Sequence, residues 1–187
     1  MQEKIKFKEV LIMSYKRIII SLLILSLMVI LPGCLGKLIP VTPSVNPEEG
    51  TAGILYLEPA SLTLAPSQDF TVELRTASIT NLKGYSVTLS YDSALLSLQE
   101  VTEGSFLSSK GKTFFYKKID DTQGTILIDC AILGPELSVS GEGTLATLSF
   151  TSLKAGSTSL TFKLAKTRDT FNKEIITTKR NAVVKSK

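Results

Sequence analysis

The stretch Asn81–Asp92, "NLKGYSVTLSYD", alternates large apolar side chains with small hydroxyl ones and stops at an acid. A two-residue period is the signature of a strand with two unlike faces. Tyr85, Val87, Leu89 and Tyr91 form the apolar face, and Ser86, Thr88 and Ser90 form the other. The hydroxyl face is either simply solvated or a surface that another molecule reads. Working outward, the same period recurs in "DFTVELRTA", which sets Phe70, Val72 and Leu74 together, and in "GTILIDCAIL", which sets Ile126, Ile128, Cys130 and Ile132 together. "GTLATLSFTS" aligns Ala146, Leu148 and Phe150, and "STSLTFKLA" aligns Leu160, Phe162 and Leu164. "ALLSLQEV", "KTFFYKKI" and "EIITTKRNAVV" complete the series. Gly, Pro, Asn and Asp punctuate these runs, and no helical period appears after Ile54. The pattern predicts an all-β sandwich over residues 54–184, long enough to enclose a two-sheet core.

The preceding third of the chain reads differently. Ile18–Leu31 is an apolar run of fourteen residues, broken only by serines, and is short for a bilayer span of about 20 residues. Lys16 and Arg17 precede it and "LPGC" closes it. This is the layout of a secretory signal, and it resembles a bacterial or archaeal lipoprotein signal. The resemblance implies residues 1–33 as signal peptide, with Met13 an alternative start, and Cys34 as the lipidated residue of the mature chain. An uncleaved membrane anchor is the alternative, and either arrangement puts the remainder outside the cytoplasmic membrane. Residues 34–53 carry Pro40, Pro43 and Pro47, a spacing that favours an extended linker without a core of its own.

Charge and composition narrow the function. The formal charge is +4, from 21 basic and 17 acidic residues. Residues 1–33 hold five of the basic and two of the acidic ones, which leaves 16 against 15 beyond them. Such a balance lacks the clustered basic face that nucleic acid requires. With Cys34 lipidated, Cys130 has no partner for a disulfide. The chain contains no histidine, which removes the usual general base and the commonest metal ligand. The acids Asp92, Asp120, Asp121, Asp129 and Glu142 read best as strand-end, turn or solvated-face residues, so no enzyme is expected. No cofactor is expected and no metal site is assigned, but calcium stays open: "DTFN", Asp169–Asn172, offers oxygen atoms, without the EF-hand loop pattern. Tryptophan is absent, and the one aromatic cluster is Phe114, Phe115 and Tyr116, whose alternation sets Phe115 opposite the other two.

Taken in order, "DFTVELRTASITNLKGYSVTLSYD", "LLSLQEVTEGSF", "DTQGTILIDCAIL", "SGEGTLATLSF" and "AGSTSLTFKLAKTRD" resemble a cohesin domain. Gly141 and Gly143 leading into Leu145, Ala146, Leu148 and Phe150, and Tyr91-Asp92 followed by Leu95 and Leu98, carry most of the resemblance. It implies a nine-stranded jelly-roll β-sandwich and a non-catalytic cell-surface module that docks a dockerin-like or other protein partner, with polysaccharide degradation as the setting the resemblance suggests. In well-known dockerin-binding members, an Asn and an Asp two residues later on the strand ending in Tyr-Asp contact the partner. Those places hold Gly84 and Ser86 here. The partner-binding residues so implied are Gly84, Ser86, Thr88, Ser90, Asp92 and Asp129, with Phe115 and Leu127 as an apolar patch if Phe115 points outward. A carbohydrate-binding module of the same sandwich class, taking polysaccharide, and a scaffold lipoprotein without ligand are the alternatives. Membrane contact is implied only through the N-terminal lipid or anchor.

Overall fold

Two sheets bury the apolar faces read above against each other. The computed structural model describes residues 53–187; the expected signal peptide, the lipidated Cys34 and nearly all of the linker lie outside the described residues. One sheet has five strands in the order β10 (Thr177–Arg180), β1 (Gly53–Glu58), β3 (Asp69–Leu82), β8 (Val139–Ser152) and β5 (Leu96–Glu103). The other has six, in the order β2 (Ser61–Leu64), β11 (Ala182–Ser186), β9 (Gly156–Arg168), β4 (Gly84–Ser90), β7 (Thr125–Ile132) and β6 (Thr113–Asp120).

Eleven strands therefore stand among the described residues where nine were expected, and the difference has a local cause. The first and last strands each break and change sheets. β1 ends before Pro59, which has no N–H to donate to a ladder, and β2 resumes in the other sheet. Asn181 does the same between β10 and β11, its side-chain oxygen accepting from the Phe162 N–H at 3.1 Å. The two broken strands run together, β1 parallel to β10 and β2 parallel to β11. Counted once each, they restore nine.

A single helical turn, α1 (Ser105–Ser108), departs from the all-strand expectation. It follows β5 and buries Leu107. In the core, Phe150 is fully buried, stacked on Phe70 with centroids 5.6 Å apart and met edge-on by Tyr91 at 5.4 Å. Aromatic pairs in these geometries contribute beyond the area they bury. Tyr85 ties the sheets together, its hydroxyl donating to the Leu145 carbonyl at 2.8 Å.

A face of small side chains with a slot at one end

The hydroxyl face of the opening stretch is the solvent side of β9, β4, β7 and β6. Ladder register sets its side chains in rows across four strands. The first row reads Arg168, Gly84, Ala131, Phe114; the second Lys166, Ser86, Asp129, Tyr116. The third reads Leu164, Thr88, Leu127, Lys118, and the fourth Thr161, Ser90, Thr125, Asp120. Strands about 4.8 Å apart and rising about 3.4 Å per residue make this a plateau of roughly 20 by 24 Å.

Ser86, Thr88, Ser90, Leu127 and Asp129 all lie half-buried on that plateau, so the structure brings these expected residues together. Ser90 and Thr161 share a hydrogen bond at 2.7 Å across the ladder. One carboxylate oxygen of Asp129 is sealed and has no hydrogen-bond partner among the described residues. Gly84 is buried because it has no side chain to expose: a Cβ there would lie 2.9 Å from the Cys130 carbonyl. Asp92 lies beyond β4, where its carboxylate accepts from the Ala94 N–H at 2.9 Å and holds a turn.

Phe115 requires a correction. It pairs with the inward Cys130 and packs against the core, so it belongs to no outward patch. The outward aromatics of β6 are Phe114 and Tyr116, 57% and 45% exposed. Leu164 was also expected inward, by alternation from Leu160. A β-bulge separates Thr88↔Leu164 from Leu89↔Phe162 in the β4–β9 ladder, and the extra residue turns Leu164 outward. Leu164 is 43% exposed while Leu160 is fully buried. Bulges re-aim side chains in this way, and a plain period-2 reading carries no sign of one.

Along the first row the two central positions are glycine and alanine, so the surface sinks there. The resulting depression, about 450 Å³, is bordered by Phe114, Lys166, Arg168 and the turn at Asp169–Asn172. That turn is tightly held: the Asp169 carboxylate accepts from the N–H groups of Phe171 and Lys173, both at 2.8 Å. Asn81 donates to the Thr170 hydroxyl at 3.1 Å. In "DTFN" the Asp169 carboxylate thus serves the backbone and the Thr170 hydroxyl serves the Asn81 side chain, and Phe171 stands at the tip, 86% exposed. Beneath the face, burial first and then the Glu103 carboxylate push the Cys130 thiol up to about 12. Burial likewise pushes the Tyr85 phenol well up. Neither group carries charge near neutrality. Among the described residues no cluster of His, Cys, Asp or Glu is arranged to hold a metal ion.

The model of the cohesin domain matches residues 61–184. The chain belongs to the cohesin family. Solved cohesin structures share its fold at low identity. A non-cellulosomal cohesin from the archaeon Archaeoglobus fulgidus is 17% identical with a TM-score of 0.62, over 73% of this chain and 91% of that one. The OlpA cohesin of Clostridium thermocellum, solved in a type I complex with a dockerin, is 14% identical with a TM-score of 0.64, over 73% and 99%. A type II cohesin from the cellulosome of Acetivibrio cellulolyticus is 17% identical with a TM-score of 0.62, over 71% and 95%. No curated protein sequence matches the chain. Among the described residues no helix of this cohesin is long and apolar enough to cross a membrane.

Proposed function

We propose that this cohesin is a non-catalytic docking module whose plateau on β9, β4, β7 and β6 seats a helical, dockerin-like protein, and that Cys34 carries the lipid that holds it at the cell surface. The observation that carries the reading is the placing of exposed Leu164 and half-buried Leu127 on either side of Thr88, in a field of small hydroxyl side chains. Small side chains let a helix approach a sheet closely, and apolar anchors inside a hydrogen-bonding rim are how interfaces concentrate affinity. The plateau has room for two helices of about 10 Å diameter side by side. The expected site residues Gly84, Ser86, Thr88, Ser90, Leu127 and Asp129 act in this reading as floor and rim, joined by Leu164, Phe114 and Tyr116.

The test uses the full chain as bait against the organism's own secreted proteins. Thr88→Arg puts a long cation in the middle of the plateau without touching the core. Capture of a helical protein by the parent chain, and its loss with Thr88→Arg, supports the reading. Equal capture by both chains overturns the choice of face. Retention on insoluble polysaccharide with no protein captured overturns the choice of partner.

A further inference from the structure

The two sheets carry opposite charge. Strands of the six-stranded sheet hold Lys117, Lys118, Lys163, Lys166, Arg168 and Lys185 against Asp120 and Asp129, a net of +4. Strands of the five-stranded sheet hold three basic side chains against six acidic ones, a net of −3. On the acidic sheet the central cation Arg75 is tied down, by Glu58 at 3.2 Å and Glu73 at 2.8 Å, and Lys179 and Arg180 stand exposed on the edge strand β10, outnumbered by the sheet's six acids. On the basic sheet Lys118, Lys163 and Lys166 are exposed and make no ion pair among the described residues, and Arg168 meets Glu174 only at 3.8 Å. A folded domain of nearly balanced total charge thus carries its surplus of cations on the sheet that bears the plateau. Such segregation steers an oppositely charged partner and rejects a like-charged one.

The slot localises the effect. In the first row a cation, Arg168, and an aromatic ring, Phe114, face each other across Gly84 and Ala131, with Lys166 one row below Arg168 on the same strand. Arg168 is anchored from behind by the Asn172 carbonyl at 3.3 Å. Asp129 and Asp169 are the opposing charges at the slot, but Asp129 stands beyond Ser86, two strands from Lys166, and the Asp169 carboxylate is engaged by the Phe171 and Lys173 N–H groups. A group with a carboxylate at one end and an apolar body fits the slot, carboxylate towards β9 and body on the Gly84–Ala131 floor beside Phe114.

We infer that the partner presents an acidic surface to the plateau and that one of its carboxylate side chains enters the slot between Lys166 and Arg168. This rests on the plateau being the docking face. The probes are phenylacetate and phenethylamine, equal in ring and opposite in charge, titrated into the isotopically labelled full chain in neutral detergent. Phenylacetate should shift the amides of Gly84, Ala131 and Lys166 saturably. Lys166→Glu should weaken that binding about tenfold, the size of one lost charge-assisted contact, and added salt should weaken it too. An unperturbed remainder of the spectrum establishes that the variant folds, and Arg168→Gln provides a second one. Preference for phenethylamine, seated on Asp129, overturns the inference, as does the absence of saturable shifts at the slot. These outcomes separate from the docking test. Loss of partner with Thr88→Arg alongside ammonium preference sinks the acidic partner alone. A seated carboxylate alongside undiminished capture by Thr88→Arg sinks the docking face instead.

Discussion

Leu160 and Leu164 lie four residues apart on β9, where unbroken alternation sets them on one face, yet Leu160 is fully buried and Leu164 is 43% exposed. Truncating each to alanine therefore tests the bulge. Leu160→Ala opens a cavity in the core beside Ala182, its partner in the ladder, and such cavities cost about 2–5 kcal/mol. Leu164→Ala opens none, because solvent already reaches the side chain. Full burial of a leucine is worth about 1.5–3 kcal/mol, so loss of its partly covered methyls should cost under about 1 kcal/mol. Urea unfolding resolves the two. With a slope of about 2 kcal/mol per molar, the midpoint should fall by about 1–2.5 M for Leu160→Ala and by less than about 0.5 M for Leu164→Ala, at unchanged slope. The order should reverse for partner capture: Leu164→Ala removes an interface anchor, worth about 2 kcal/mol or roughly thirtyfold in affinity, and Leu160→Ala leaves the face as it was. Equal losses of stability would refute the bulge, and with it the reason for counting Leu164 among the docking residues.

Three further outcomes follow from the interior. Tyr85→Phe should cost only about 1 kcal/mol in denaturant unfolding, because the Leu145 carbonyl it leaves keeps the Gly104 N–H at 2.9 Å. Gly104→Ala should cost about 3 kcal/mol or more, since its Cβ would lie 2.2 Å from the Thr144 carbonyl oxygen and no side chain can swing away to make room; unfolding midpoints near the parent's would contradict this close approach. Alkali should destabilise the fold. Cys130 is raised by burial and then Glu103 from 9.0 to about 12, and Tyr91 by burial and then its hydrogen bond to Asp121 from 10.0 to about 12. A raised folded value means that stability is complete below the unfolded value and drains away as pH climbs through the folded one. Loss should thus begin near pH 9, and Cys130→Ala should delay it to near pH 10 in thermal unfolding followed against pH.

What could be read from sequence was whatever alternation alone decides. On β4 and β7 the two faces differ sharply in polarity, so Val87 against Thr88, or Ile128 against Asp129, left a single register that buries the apolar set. On β6 the polarity cue fails, because aromatics stand on both faces. Lys117 follows Phe115 inward by parity yet reaches out to the Val101 carbonyl with its ammonium, as a long basic side chain can. The inward or outward sense of Phe115 was therefore undetermined until its pairing with Cys130 was seen. Irregularities in the ladder were equally silent. Ser78 and Asn81 adopt positive φ of 56° and 57° and carry β3 on to Leu82, past the stretch that reads as a strand. The slot was invisible for a related reason: Gly84 and Ala131 are unremarkable singly and form a depression only when register makes them neighbours.

The same two positions connect the family resemblance to the charge of the face. Gly84 and Ser86 stand at the two places where the resemblance drawn from the sequence implies an Asn and an Asp in dockerin-binding members. With glycine at the first place the slot exists at all, and with serine at the second the cation across the ladder stays free. Ser86 is paired with Lys166 on one side and Asp129 on the other, so Ser86→Asp inserts a carboxylate directly beside the free ammonium, at a cross-strand Cβ separation of about 5 Å. Stability should change little, because the new pair with Lys166 is exposed and is offset by repulsion from Asp129. Binding should change a great deal. Lys166 would be offset in place, and phenylacetate should lose affinity for the slot, though by less than with Lys166→Glu, because the local charge changes by one unit instead of two and no cation has been removed. A Ser86→Asp chain that still seats phenylacetate at full strength would show that Lys166 does not determine the partner's charge. One that loses it would make the identity of residue 86 the point at which this cohesin parts from members that place an acid there.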